Sequence, residues 1–213
     1  MNQSLVFLLP VLLFSVIVHE YAHGYVAEWW GDPTARMLGR LTLNPVPHID
    51  LFGSILVPLF LLLSGSSILF GWAKPVPVTL ENFRDRKWGD VTVSLAGPAS
   101  NILLAFAFAA GLFVTRVVSG GAVSPGIQLL CEYGIFINFI LAVFNMLPVP
   151  PLDGSHVVAN FLPRPMAYSY QSTGRYGLII VILLLMFTPI GGIVFGVTRI
   201  WTWTMVRLAL GIG

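Results

Sequence analysis

The chain has 213 residues, 56% of them hydrophobic and 9% charged, with a formal net charge of +2. A soluble domain carries roughly 25% charged residues, so this composition excludes an ordinary globular domain and points to a polytopic membrane protein. The small net charge and the lack of a basic cluster exclude a nucleic-acid partner. The single cysteine, Cys131, excludes an internal disulfide and a thiolate metal site. It reads as a small buried hydrophobe.

A membrane span needs about 20 mostly apolar residues. Residues 4 to 18 carry no charge, and the first helix is expected from about residue 4 to 30, stopping at Gly31-Asp32-Pro33. Its start lacks a basic region and a small-residue cleavage site, so it reads as a retained helix rather than a signal peptide. Residues 35 to 47 look like a short extended segment with a turn. Residues 51 to 71 are apolar but broken by Pro58 and by Ser64-Gly65-Ser66-Ser67. Pro75 and Pro77 forbid a helix over 72 to 79, which suits an edge strand. A polar patch, Arg84-Asp85-Arg86-Lys87, precedes two strong spans at 90 to 117 and 126 to 147. After Pro148 to Pro151, a polar connector with Arg164 and Arg175 leads to apolar segments at 176 to 188 and 193 to 211, separated by Pro189-Ile190-Gly191-Gly192. No stretch is polar and long enough for a soluble accessory domain. The expectation is one membrane-embedded domain over 1 to 213. It is an all-α polytopic protein of about five to six membrane helices, with a short re-entrant or β segment near the active site.

The first span contains His19-Glu20-Tyr21-Ala22-His23. Ionisable groups are expensive at membrane depth and mark function there. Residues i and i+4 share a helical face, so both imidazoles can reach one metal ion. Glu20 sits about 100° around the helix, placed to act as a general base without being a ligand, as in zinc metalloproteases. Two hydrogen-bonded core histidines are the plain alternative, but nothing nearby in sequence would pair with Glu20.

A catalytic zinc site needs a third protein ligand. Glu28, five residues beyond His23, points about 140° away. His48, Asp50, Asp153 and His156 remain. Asp153 follows Pro148, Pro150 and Pro151, which remove backbone donors and unwind the chain. Irregular backbone at membrane depth is tolerated where it is buried or lines a wet cavity. Two neutral imidazoles, one carboxylate and one hydroxide also make zinc formally neutral, the cheapest arrangement in low dielectric. Asp153 equally suits a helix N-cap, and both roles can hold.

HEYAH in an early span, Ala96-Gly97-Pro98-Ala99-Ser100-Asn101 opening a later one, and Asn145 to Gly154 (NMLPVPPLDG) after the next resemble the site-2 protease family of intramembrane zinc metalloproteases. Phe70 to Val78 and Leu41 to Asp50 are similar to its short bacterial and archaeal members, which lack PDZ or CBS domains. The resemblance covers roughly residues 15 to 160. It implies one Zn2+ held by His19, His23 and Asp153, Glu20 as the base, and Asn145 holding the substrate or the developing oxyanion. Asn101 reads either as part of a small-residue packing motif or as a substrate contact. His48, Asp50 and His156 are candidates to orient a ligand from behind, with a plain interfacial loop or a solvated side chain as the alternatives.

Both parts of the metal site must share one depth. The end of the first helix, the start of the 90 to 117 span and the end of the 126 to 147 span should therefore share a face. Its loops carry Arg36, Arg40, Lys74, Arg84, Arg86 and Lys87, which makes it cytoplasmic by the positive-inside rule. Residues 51 to 71 should then re-enter rather than span. The expected activity is hydrolysis of peptide bonds in or near transmembrane segments of other membrane proteins, in a prokaryotic cell membrane. A metal transporter or channel is the rival, but it calls for ionisable residues in successive spans, and the later spans carry few. An inactive scaffold would not need Glu20.

Overall fold

The computed structural model describes residues 3–57, 60, 63–64 and 73–212. Its described elements are helical. Helix α1 (Gln3–Trp29) occupies the first apolar run and stops before Gly31, whose φ of 105° favours glycine. A one-turn helix, α2 (Thr34–Met37), follows. Helix α3 (Arg86–Val118) starts at Asp85, whose carboxylate accepts the Trp88 N–H. Helix α4 (Pro125–Asn145) is capped by Ser124, with proline in its first turn. Then come α5 (Asp153–Ala159), α6 (Arg164–Ser172), α7 (Gly177–Phe187) and α8 (Ile190–Leu210).

Among the described residues four helices are long and apolar enough to cross a membrane: Val6–Trp29, α3, α4 and α8. A fifth span exists if Arg164–Tyr176 and Ile179–Phe187, bent by 82°, count as one. Apolar side chains such as Leu103, Val118, Phe187 and Ile200 face outward, as lipid rather than water requires. The chain is therefore an all-α integral membrane protein.

The interior lies between α1, α3, α4 and α8. Ala105 and Ala109 of α3 pack on Ile135 and Phe139 of α4. Deeper toward the far end, Leu112 meets Cys131 and Ala209. The pairing of late α3 with early α4 shows that these helices run antiparallel, and α8 runs beside α3 in the same direction. Gly134 lets α4 approach, because a Cβ there would collide with the Phe108 ring. Small residues at such crossings bring membrane helices close enough for side-chain bonds between them.

Three expectations change. Residues 34–37 are helical rather than extended, since Asp32 accepts the Thr34 N–H and turns the chain just after Pro33. The connector after Pro151 contains α5 and α6, too short to show a span-length signal. Residues 73–79 are non-helical, as the prolines dictate, but form no strand ladder among the described residues. Within 51 to 71, Leu51–Leu56 form a wide π-type turn opened by Asp50, which accepts the Gly53 N–H at 2.6 Å. Most of the expected re-entrant segment lies outside the described residues.

Candidate active site and metal centre

His19 and His23 lie on one face of α1, and Asp153 is the first residue of α5. The His19 Nε2 atom is 3.2 Å from Asp153 Oδ2, and His23 Nε2 is 3.4 Å from Oδ1. The two Nε2 atoms are 3.0 Å apart. Among the described residues this is the group of metal-ligating side chains whose ligand atoms converge, all within 4.8 Å of one another. Bonds of about 2.0 Å at tetrahedral angles separate ligand atoms by roughly 3.3 Å, so the spacing fits zinc.

Proton positions sharpen the fit. The His23 Nδ1–H donates to the Val93 carbonyl at 2.7 Å, an atom that can only accept. His19 Nδ1 meets Asn101 Oδ1 at 2.6 Å. The Asn101 amide is oriented by a chain of bonds: its Nδ2 donates to Asn138 Oδ1 (2.8 Å) and Ser15 O, while Asn138 Nδ2 donates to Ser15 Oγ (2.8 Å) and the Gly134 carbonyl (2.9 Å). The fixed carbonyls at Gly134 and Ser15 thus leave Asn101 Oδ1 as an acceptor, and His19 must donate from Nδ1. In the neutral tautomers both Nε2 atoms are then lone pairs. Two lone pairs and a carboxylate converge with no donor between them, and Asp153 Oδ2 is buried without a hydrogen bond. Such a set calls for a cation.

Backbone glycines make the cradle. A Cβ at Gly97 would collide with His23 Nε2 and lie 2.6 Å from His19 Nε2. A Cβ at Gly154 would collide with the Met146 carbonyl, pushing Asp153 out of place. Asp153 makes no capping hydrogen bond, so the cap alternative does not describe its side chain.

Glu20 is half-buried and its Oε2 accepts the Val76 N–H at 2.7 Å. Asn101 lies fully buried beneath His19, with its amide bonded within the protein rather than open to a substrate. Asn145 ends α4, and its Nδ2 donates to Leu141 O at 3.1 Å. His48 is buried, with Nε2 on Thr42 O (2.9 Å). Asp50 caps the π-type turn. Neither belongs to the converging group. His156 lies 3.4 Å from Asp90 through Nδ1. The Asp90 carboxylate holds its imidazole above the usual range, against the opposing effect of burial. Nothing in the chain order singled out Ser15, Asn138 or the Val93 carbonyl, and Asp32 stood only as part of a helix stop. A polar residue inside an apolar span is a signal that could have found Ser15 and Asn138.

The family model for peptidase family M50 matches residues 7–188. The chain belongs to peptidase family M50. This is the site-2 protease family, and the match takes in HEYAH, the Gly97 cradle and the Asp153 turn. Relatives of the chain that carry the name "Putative zinc metalloprotease" include YwhC and Rip2. YwhC of Bacillus subtilis (strain 168) is 40% identical over 197 residues, covering 88% of this chain and 84% of its own. Rip2 of Mycolicibacterium smegmatis is 29% identical over 177 residues, covering 83% of this chain and 65% of its own. No solved structure matches the chain.

Proposed function

We propose that this M50 protein is an intramembrane zinc endopeptidase that hydrolyses peptide bonds in or near transmembrane segments of membrane proteins. The observation that supports this most is the convergence of His19, His23 and Asp153 with no donor between them, beside a glutamate on the same helix. His19 lies ten residues before the end of α1, about 15 Å along the helix, so the site sits below the helix end, at substrate-span depth.

His19, His23 and Asp153 would hold one zinc ion, which when bound supplies Lewis acidity that polarises a carbonyl and lowers the pKa of water to about 7. The Glu20 carboxylate accepts a proton from the attacking water and passes it to the departing nitrogen. The water oxygen bonds to the carbonyl carbon as the C–N bond breaks, giving a carboxyl end and an amine end. A helical substrate hides its amides, so the partner segment must be unwound where it is cut, which favours helix-breaking Gly, Asn or Pro near the bond.

The ends of α1 and α4 and the start of α3 share the face that carries Arg36, Arg84, Arg86 and Lys87. The positive-inside rule supports a cytoplasmic placement of that face in a prokaryotic cell membrane, with regulated intramembrane proteolysis as the cellular role. Against the transporter reading, α3 and α4 bury Ser94, Asn101 and Asn138 but no charged side chain among the described residues.

Membrane proteomics of wild type against Glu20→Gln tests the proposal. Glu20→Gln should hold about one zinc per chain yet lose cleavage by roughly 10²- to 10⁴-fold. Fragments produced equally in both strains would refute the assigned role.

A further inference from the structure

Residues 74–79 cross the face of α1 that carries Glu20 and Gly24. The crossing is tight: a Cβ at Gly24 would lie 3.0 Å from Val76 Cγ1. The segment is pinned by groups that no catalytic step uses. The Lys74 N–H donates to the His48 carbonyl at 2.9 Å. Arg40 Nη2 donates to Lys74 O (2.7 Å) and Pro75 O (3.2 Å). At the other end, Asp32 Oδ2 accepts the Thr79 N–H at 2.7 Å, and its Oδ1 accepts Asn82 Nδ2 at 2.8 Å. Arg40 and Asp32 are both buried. Burying a charge is costly without compensation, yet here each compensates backbone atoms of the same segment rather than the other.

Between these anchors, the Val76 N–H donates to Glu20 Oε2. Pro75 and Pro77 have no N–H. A shift of one residue in either direction would present Glu20 with no donor, so the prolines fix the register of this bond. A glutamate side chain has three rotatable bonds, and a charge-assisted bond to a fixed N–H removes much of that freedom while leaving Oε1 to take a proton. Of the four N–H groups at Lys74, Val76, Val78 and Thr79, three are engaged by His48, Glu20 and Asp32. The segment is therefore poorly supplied with donors for pairing with a substrate strand, and well built as a fixed mount.

We infer that the 74–79 segment positions the catalytic base, with the Val76 N–H orienting Glu20 and with Asp32 and Arg40 as positioning residues that hold the segment in place. This rests on the zinc endopeptidase reading. The full chain, reconstituted in vesicles, would be assayed on a reporter with one transmembrane segment interrupted by Asn-Gly. Val76→Pro deletes the N–H, whereas Val76→Ala trims the packing and keeps it. Val76→Pro should retain zinc and KM but lose about 10- to 100-fold in kcat, and Val76→Ala should keep at least ten times the kcat of Val76→Pro. Equal kcat in the two variants, or loss of zinc from Val76→Pro, would overturn the inference. Hydrogen exchange gives a readout independent of turnover: Glu20→Leu and Asp32→Ala should each speed exchange of the Val76 amide. Unchanged protection in both would likewise overturn it. If the wild-type chain, loaded with zinc, leaves the reporter uncut, the endopeptidase reading itself fails, whatever the exchange of the Val76 amide shows.

Discussion

Asn101→Leu should weaken zinc binding without touching a ligand. In the wild type the Asn101 amide sits between His19 Nδ1 and Asn138 Oδ1, at 2.6 and 2.8 Å, and all of it is buried. Leucine removes both partners at once. The His19 Nδ1–H and Asn138 Oδ1 are left unsatisfied, each costing about 1–3 kcal/mol, so the folded protein should lose about 2–6 kcal/mol. The imidazole also loses the bond that keeps its Nε2 lone pair facing Asp153. Groups that orient a metal-bound histidine are worth about 10- to 100-fold in metal affinity, or about 1.4–2.7 kcal/mol. Competition titration with a chromophoric chelator in detergent would measure zinc Kd, and helix content would confirm folding. Asn101→Asp keeps an acceptor for His19 and should recover most of the zinc affinity. It recovers less of the stability, because a carboxylate oxygen then faces Asn138 Oδ1. A folded Asn101→Leu protein with wild-type zinc Kd would refute the reasoning.

His19→Ala, His23→Ala and Asp153→Ala should each lose zinc, read as metal per chain after dialysis; full occupancy in Asp153→Ala would return the third ligand to His48, Asp50 or His156. Gly97→Ala should also lose zinc, although it changes no ligand, because the added methyl occupies the space of the two Nε2 atoms; a fully loaded variant would show that α3 can retreat. Asp32→Asn tests the anchor of the 74–79 segment through pH. Burial opposes the Asp32 carboxylate, but bonds from Thr34, the Thr79 N–H and Asn82 more than offset this and lower its pKa below 3.8. A lowered folded pKa stabilises the fold above the unfolded value and loses that contribution as pH falls through the folded value. Wild type should therefore be more stable than Asp32→Asn by a constant margin at neutral pH, with the margin shrinking below pH 3.8. A margin unchanged by acid would exclude ionised Asp32 as its source.

Some of this protein was legible along the chain. The apolar runs that became α1, α3 and α4 are visible because a bilayer demands about 20 apolar residues in sequence. The i, i+4 histidines are visible because a helix places them on one face whatever surrounds it. The prolines around residue 76 excluded a helix there for local reasons alone. The short helices α2, α5 and α6 were not visible, since each is smaller than the window in which a span declares itself. Nor could the chain order show that Asn101, Asn138 and Ser15 form one network, for they are separated by 37 to 123 positions. Only the crossing of α1, α3 and α4 brings them together. The same crossing sets Asn101, which read either as part of a packing motif or as a substrate contact, against His19 Nδ1. Contacts with residues 74–82 likewise make buried anchors of Asp32, which read only as part of a helix stop, and of Arg40, which read as a loop charge. The chemistry of the centre is a property of residue types at fixed helical spacing. The tautomers, the cradle at Gly97 and the orientation of the base are decided by contacts between helices, which no local pattern encodes.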